Sequence, residues 1–176
     1  MARLAPVTAT VAPGQFSTAA LENAQVRDSV AFFLNVPYFA GYQTSVQLIG
    51  NAAWALINID TETQDFDGGH STVTNTQRWN CIVAGVYELS PVTAWAANGT
   101  GIRGVRVFKN NVAIPGGEGL VAAGSVTGTT ASAFTSVQCA VGDYIEIWGY
   151  QSSGGNLNTQ SNGEAACALT CKWVKN

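Results

Sequence analysis

The sequence predicts an all-β antiparallel fold, either a sandwich, a jelly roll or a barrel, that follows an extended arm and one helix. From Tyr42 onward, apolar and polar residues alternate with a period of two, in short runs rich in β-branched and aromatic residues. Clusters of Gly, Asn, Asp and Ser separate these runs. No connection between them has the helical crossover that parallel strands require, so we expect antiparallel pairing.

The composition predicts one domain with a polar but weakly charged surface. A chain of 176 residues can bury a core without a metal ion or a disulfide. Charged residues make up 11% of the chain and the net charge is -3, with the basic residues scattered singly. We expect no nucleic-acid partner, because binding to phosphates requires clustered cations. We also expect a soluble protein without a membrane partner, because the chain lacks both a membrane-spanning apolar run and the apolar core of a secretion signal.

Residues 1–40 are predicted to form an attachment unit. Residues 1–16 are rich in Pro, Thr and Ala without a period, which indicates an extended arm. The segment FSTAALENAQVRDSVAFFLNVP then predicts one helix of about five turns, with Ser17 as its N-cap and Pro37 preventing its continuation.

The predicted helix could pack on its own domain or dock onto another protein, and its place outside the β region favours docking. Helical spacing puts Val26, Val30 and Phe33 on one face. The apolar residues predicted to attach the protein to its partner are Leu4, Val7, Phe16, Leu21, Phe32 and Phe33.

Eight segments are predicted as strands. In chain order they are YQTSVQLI (42–49), AWALINI (53–59), RWNCIVAGVYELS (78–90), GVRVFKN (104–110), GLVAAGSV (119–126), SAFTSVQC (132–139), DYIEIWGYQ (143–151) and ACALTCKWV (166–174). Asn110-Asn111 lies between two apolar runs and predicts a tight hairpin, because Asn tolerates positive φ. Alternation places Tyr144, Glu146 and Trp148 on one face of their strand.

One acidic segment could hold a cation. It contains Asp60, Glu62, Asp65 and Asp67, and its DFDGG sequence is similar to the start of an EF-hand loop. The glutamate at position 12 and the flanking helices of that motif are missing. Ca²⁺ binding by these four acids is one interpretation. The alternative is a solvated connection in which Asp and Gly supply turn geometry.

The sequence predicts no enzyme and no cofactor. His70 is the only histidine and has no nucleophile motif around it. The acids that could serve glycoside hydrolysis are bunched along one short connection instead of facing each other across a cleft.

The four cysteines, Cys81, Cys139, Cys167 and Cys171, are predicted to be free and buried. They have neither CxxC spacing nor histidine partners, which excludes a zinc site of the usual kind. Each lies in an apolar run, where cysteine behaves as a small hydrophobic residue.

Two segments give the chain a family resemblance. RWNCIVAGVYELS and VQCAVGDYIEIWGYQ, with their Gly-x-Tyr and Gly-Asp turns, resemble the C1q-like branch of the C1q and tumour necrosis factor (TNF) jelly rolls over about residues 42–175. The implied fold is an antiparallel jelly-roll sandwich over residues 41–176. No Gly-x-y repeat is present, so no collagen stalk is expected.

A narrower resemblance covers nearly the whole chain. ALENAQVRDSVAFFLNVP, ALINIDTETQDFDGGHSTV, NGTGIRGVRVFKN, IPGGE and GDYIEIWGYQSSGG are similar to C1q-like virion proteins of tailed bacteriophages that infect actinobacteria. Such proteins are described as minor tail proteins or head decoration proteins. The resemblance implies a homotrimer attached to capsid or tail proteins of the virion and assembled in the host cytoplasm.

The aromatic content supports a trimer independently. Five Trp, five Tyr and seven Phe provide more apolar surface than one sandwich hides comfortably. We expect Tyr87, Tyr144 and Trp148 near the threefold axis; the alternative for each is core packing within the subunit. A second hypothesis is a receptor-binding module that recognises a host-surface glycan through the loop YQSSGGNLNTQSNG (150–163), which could equally be a flexible turn.

Overall fold

A computed structural model describes residues 4–6, 12–16 and 18–176 of the chain. One continuous helix precedes the strands. It is α-helical over Ala19–Glu22, π-helical over Asn23–Arg27 and α-helical again over Asp28–Leu34, and we call these three parts together the N-terminal helix. The helix occupies the predicted segment, but its N-cap is Thr18, whose hydroxyl accepts from the Leu21 N–H. Ser17, the predicted N-cap, lies outside the described residues.

Fifteen strands follow in the described part of the chain. They are β1 (Tyr38–Tyr42), β2 (Leu48–Ile49), β3 (Ala53–Leu56), β4 (Thr61–Asp65), β5 (Arg78–Asn80), β6 (Gly85–Trp95), β7 (Ile102–Lys109), β8 (Val112–Ala122), β9 (Thr129–Ser132), β10 (Thr135–Cys139), β11 (Tyr144–Gln151), β12 (Leu157–Asn158), β13 (Ser161–Asn162), β14 (Ala165–Ala166) and β15 (Ala168–Lys175).

The strands form two main sheets. The first sheet has the order β10-β6-β15-β1-β4, and β9 also pairs with β6. The second sheet has the order β3-β11-β7-β8, and β5 also pairs with β11. Two small sheets pair β12 with β2 and β13 with β14. Every pairing is antiparallel, as predicted.

The core lies between the two main sheets, as in a β-sandwich. Alternating residues of the long strands β6, β11 and β15 supply much of it. The largest fully buried apolar side chains come from both sheets and from the segment after β3: Phe39, Ile57, Ile59, Tyr87, Leu89, Trp95, Ile145, Ile147 and Leu169.

Several predicted boundaries differ from the structure. The predicted strand 42–49 is not one strand: β1 ends at Tyr42, residues 43–47 are not in a strand, and Leu48–Ile49 form β2. The first strand instead begins at Tyr38 and pairs with β15 over its whole length. The polar segment Thr61–Asp65, interpreted as part of a connection, is β4 at the edge of the first sheet. Of the predicted strand 119–126, residues 119–122 are the end of the longer β8, and residues 123–126 are not in a strand.

The predicted hairpin at Asn110-Asn111 is confirmed. The two residues connect β7 to β8 and have φ values of 51° and 64°. Asn adopts this left-handed region more readily than other side-chain-bearing residues, which explains why the tight turn forms here.

Candidate association surfaces

The acidic segment stabilises loops of the subunit. The Asp60 carboxylate accepts from the Thr44 N–H at 2.6 Å, the Thr44 hydroxyl at 2.9 Å and the Ser45 N–H at 2.9 Å. Partial burial alone would raise the pKa of Asp60, but the hydrogen bonds from Thr44 and Ser45 outweigh it and hold the pKa below its ordinary value. Asp60 therefore ties the turn after β1 to the segment before β4.

His70 is part of the same structural network. Its side chain is almost fully buried, with Nδ1 2.8 Å from Glu62 Oε1 and Nε2 2.9 Å from the carbonyl oxygen of Thr76. Its backbone N–H donates to Asp65 Oδ2 at 2.8 Å, and its ring packs on Phe39 with centroids 4.9 Å apart. These contacts hold the β4–β5 connection against the first sheet.

The predicted cation site is not formed. Across residues 4–6, 12–16 and 18–176, no three His, Cys, Asp or Glu side chains lie close enough together to hold a metal ion. Asp60 binds the turn after β1, Asp65 binds the backbone of the following turn, and Glu62 contacts His70. Asp60, Glu62 and Asp65 are neighbours in sequence, but each binds a different part of the structure.

Tyr87 lies inside the subunit. It is fully buried, its hydroxyl donates to the Val83 carbonyl at 2.7 Å, and its ring packs edge-on against Trp79 with centroids 5.0 Å apart. Burial raises the pKa of its phenol. The expectation that Tyr87 lies at the threefold axis is therefore wrong, because a fully buried side chain cannot contact another subunit. The alternative, core packing, is correct for this residue.

The outer side of the second sheet carries half-buried aromatic rings. We call this surface the aromatic face; its rings are Trp54, Phe108, Tyr144, Trp148 and Tyr150. Tyr144 and Trp148 share it, as alternation predicted. Tyr144 lies under the Arg78 guanidinium, 3.7 Å from its ring centroid, and Trp148 packs against Phe108 at 5.3 Å between centroids. Both stay predicted interface residues.

Charged groups lie between these rings. Glu146 is buried and accepts from Arg78 Nε at 3.0 Å and Nη2 at 2.8 Å. Arg106 lies 4.2 Å from the Trp54 ring centroid and forms an ion pair with Glu118. The aromatic face therefore combines aromatic rings with two ion pairs, which contribute four charged side chains.

The outer side of the first sheet has small side chains at its centre. Ala40, Thr170 and Ser90 lie side by side on β1, β15 and β6, and their strand neighbours are buried core residues. Lys172 pairs with Glu88 in the next row. We call this surface of small side chains, centred on the Ala40–Thr170–Ser90 row, the flat face.

The residues predicted for attachment differ in their placement. Leu4, Phe16 and Phe33 are exposed. Leu21 is half-buried.

Phe32 is not available to another protein. It is only 3% exposed and packs edge-on against Trp173, with ring centroids 4.9 Å apart. Its prediction as an attachment residue is wrong, because it holds the N-terminal helix against the end of β15. Val7 lies outside the described residues.

The loop 150–163 is built into the sandwich. Gln151 Nε2 donates to the carbonyl oxygens of Ile49 at 3.0 Å and Gly155 at 2.8 Å. The Gly154 N–H donates to Asn51 Oδ1 at 2.8 Å. The loop also contains β12, which pairs with β2, so it is not a turn without secondary structure; its flexibility stays a prediction.

Sequence reasoning missed a buried arginine that positions a neighbouring loop. Arg103 is fully buried on β7, and its guanidinium donates to the carbonyl oxygens of Asn98 at 2.7 Å, Thr100 at 3.0 Å and Ile102 at 3.0 Å. Desolvation lowers the pKa of this guanidinium. The one available signal was a charged residue at an apolar position of a strand, next to the Asn-Gly turn it stabilises.

The four cysteines are free and buried, as predicted. Burial raises the pKa of Cys167 to about 12, although a backbone hydrogen bond with Ala94 opposes it. Burial also raises the pKa of Cys171 well above its ordinary value. Both thiols are therefore protonated and packed as hydrophobic residues.

Comparisons with known proteins identify the fold. No family model and no curated protein matches the sequence. Among solved structures, the chain is similar to the globular domain of zebrafish complement 1qA protein, with a TM-score of 0.57 at 12% identity, covering 80% of this chain and 99% of that one. In the described part of the chain, no helix has both the length and the apolar character to cross a membrane.

Two further solved structures are similar to the chain. Murine APRIL matches with a TM-score of 0.57 at 10% identity, covering 77% of this chain and 98% of that one. Eiger TNF from S. frugiperda matches with a TM-score of 0.52 at 13% identity, covering 79% of this chain and 92% of that one. The chain therefore has a C1q/TNF-like antiparallel jelly-roll fold.

Proposed function

We propose that the protein is a non-enzymatic structural component of a bacteriophage particle, a homotrimeric jelly-roll knob held on the capsid or tail by its N-terminal segment. The observation that carries this proposal is the exposed apolar segment outside the sandwich. Leu4, Phe16 and Phe33 expose their side chains although the sandwich has its own complete core. Exposed apolar groups of this kind mark association sites. The resemblance of nearly the whole sequence to phage virion proteins is the reason for proposing a phage particle as the partner.

The trimer contacts are proposed on the flat face. Cores of subunit interfaces are depleted of charge. The flat face has Glu88 and Lys172 beside its central row, whereas the aromatic face carries Arg78, Arg106, Glu118 and Glu146. The aromatic face, with Tyr144 and Trp148, is the alternative site of subunit contact.

Attachment is then an association of several weak contacts. Three copies of one arm and helix on one knob give an avidity that a single copy lacks. Leu4 and Phe16, which precede the helix, are the described apolar side chains with which each copy contacts the particle.

Counting copies per particle tests this function. Purified virions of the phage that encodes the chain are analysed by quantitative mass spectrometry, with the major capsid protein as the internal reference. Hundreds of copies support a head decoration protein, and a few copies support a tail protein. Absence of the protein from purified particles overturns the structural role.

A receptor-binding tail module is the second candidate function. The Trp54 and Tyr150 rings lie 5.1 Å apart and are half-exposed. Tyr150 is the first residue of the loop 150–163, which is rich in Ser, Asn and Gln and is held by hydrogen bonds from Gln151. Aromatic rings beside polar side chains suit a sugar. This function predicts that Trp54→Ala abolishes binding of the protein to host cells and that the wild-type protein competes with phage for them.

A further inference from the structure

The N-terminal helix exposes one apolar stripe. Val26 is 55% exposed, Val30 is 51% exposed and Phe33 is 64% exposed. Phe32 is the buried residue of the helix, all of which the structure describes. Isolated helices of this length are marginal in water, and most helices in proteins are stabilised by packing of one face. The stripe therefore requires a partner to stabilise the helix.

The spacing of the stripe is that of a coiled coil. Successive members are four and three residues apart, which is the spacing from a d position to an a position and on to the next d position of a heptad. Extending this register toward the N-terminus assigns the a positions to Asn23 and Val30, and the d positions to Ala19, Val26 and Phe33. A single polar Asn at an a position is the feature that specifies register and number of chains in coiled coils.

The charged residues of the helix fit the same register. Glu22 falls on a g position and Arg27 on the following e position, five residues later. In a parallel coiled coil, the g residue of one chain faces the next e residue of its neighbour, where opposite charges form ion pairs. Within one chain Arg27 contacts the adjacent Asp28 at 2.9 Å, and both side chains are mostly exposed. Such an exposed pair stabilises little and can exchange partners.

We propose that the N-terminal helices of three copies of this chain form a short parallel coiled coil beneath the jelly-roll knob. The seam is Ala19, Asn23, Val26, Val30 and Phe33, and Glu22 pairs with Arg27 of the neighbouring copy. The proposal rests on the homotrimer proposed above, because about two heptads cannot hold three chains together alone. Trimerised jelly rolls supply the high effective concentration that makes a short seam sufficient.

The coiled coil is compatible with the contact between Phe32 and Trp173 that holds the helix on the sandwich. In this register Phe32 is a c position, outside the seam, so its contact with Trp173 at 4.9 Å can remain. The π-helical segment Asn23–Arg27 has more residues per turn than an α-helix and takes Ala19 and Asn23 out of line with Val26 and Val30. The seam therefore requires this segment to become α-helical when the copies associate.

Cross-linking of the whole 176-residue chain tests the proposal. Val30→Cys places a thiol in the seam, and Ala31→Cys places one on the next residue, which is also exposed but lies at a b position. The native cysteines are buried and do not compete. After mild oxidation, we expect Val30→Cys to give disulfide-linked dimers on a non-reducing denaturing gel. At most two of every three chains can be linked, because each chain of the trimer has one such thiol. Ala31→Cys should stay monomeric on the gel. Asn23→Cys should also cross-link if the π-helical segment becomes α-helical.

Native mass spectrometry of the same proteins separates the two proposals. A wild-type monomer at micromolar concentration overturns both the homotrimer and the coiled coil. A wild-type trimer with equal cross-linking at Val30→Cys and Ala31→Cys, or with none at either position, overturns the coiled coil alone. If the coiled coil is correct, Val26→Lys with Val30→Lys should dissociate at a concentration at least about tenfold higher than the wild type. Because the dissociation constant of a trimer scales with the square of the concentration, this shift corresponds to about 2.7 kcal/mol per trimer.

Discussion

The hydroxyl of Tyr87 donates to the carbonyl oxygen of Val83 across 2.7 Å, inside the core of one subunit. Tyr87→Phe removes this donor and leaves a buried carbonyl with one partner fewer. We expect the free energy of unfolding to fall by about 1–2 kcal/mol and the assembly state to be unchanged. Urea denaturation and native mass spectrometry at one protein concentration measure the two quantities. Tyr150→Phe, on a half-exposed tyrosine of the other sheet, outside the proposed interface, is the control. Dissociation caused by Tyr87→Phe but not by Tyr150→Phe would contradict the placement of Tyr87 in the core.

The Asp60 carboxylate should make stability depend on pH. Its folded pKa lies below the ordinary value of the unfolded chain, about 3.9. A lowered folded pKa means that the carboxylate stabilises the fold above the unfolded pKa, and that this stabilisation is lost as the pH falls through the folded pKa. We expect Asp60→Asn to be less stable than the wild type by about 1 kcal/mol at pH 7, and the difference to shrink at pH 3.

Urea denaturation at both pH values measures the effect of Asp60→Asn. Asp28→Asn is the matched control, because Asp28 binds the exposed Arg27 side chain next to it. An equal loss of stability at pH 7 and pH 3 would show that the hydrogen bonds to Thr44 and Ser45 do not depend on the charge of Asp60.

The four cysteines should be unreactive in the folded protein. All four are buried, and burial raises the pKa of Cys167 and Cys171, so little reactive thiolate is present. With a thiol reagent such as Ellman's reagent at pH 8, we expect no reaction over minutes in native buffer and complete reaction in guanidinium chloride. The denatured sample is the control for free thiols. Rapid reaction of any cysteine in native buffer would disagree with its burial.

The subunit interface can be located with one substitution on each sheet. Thr170→Arg places a long charged side chain in the central row of the flat face, and Tyr144→Ala removes a ring of the aromatic face. We expect Thr170→Arg to dissociate the trimer, because an unpaired charge in the middle of an interface is costly. Tyr144→Ala should leave it intact.

Native mass spectrometry reads the assembly state of both variants, and circular dichroism confirms that each variant is folded. If the pattern is reversed, so that Tyr144→Ala dissociates and Thr170→Arg does not, the aromatic face is the interface.

Much of the fold could be predicted from the sequence because alternation is a local property of a strand. The runs around Tyr87 and Tyr144 were correctly placed in antiparallel strands. β4 was missed because TETQD is polar throughout; it forms a strand only because β1 offers it an edge to pair with. The π-helical turn in the N-terminal helix has no sequence signal that we recognise.

The surfaces were harder to predict, because alternation says which residues share a face but not whether that face is inside. Tyr87 and Trp148 look alike in sequence, yet one is in the core and the other on the outer side of the second sheet. The acidic segment failed as a cation site for a related reason. Asp60 binds Thr44 and Ser45, about 15 residues earlier in the chain, and that pairing depends on the tertiary fold.

The pairing of β1 with β15 also suggests where the molecule could carry a grafted peptide. Tyr38 at the start of β1 lies opposite Lys172 near the end of β15, so the chain enters and leaves the sandwich at one end. Gly154 and Gly155 are exposed, and neither has a neighbouring atom that an added side chain would meet. They follow Gln151, which pairs with Arg103 near the start of β7. The Asn110 turn follows the other end of the same strand. A foreign peptide grafted between these glycines would be carried at the end of the subunit away from the helix, one copy on each subunit.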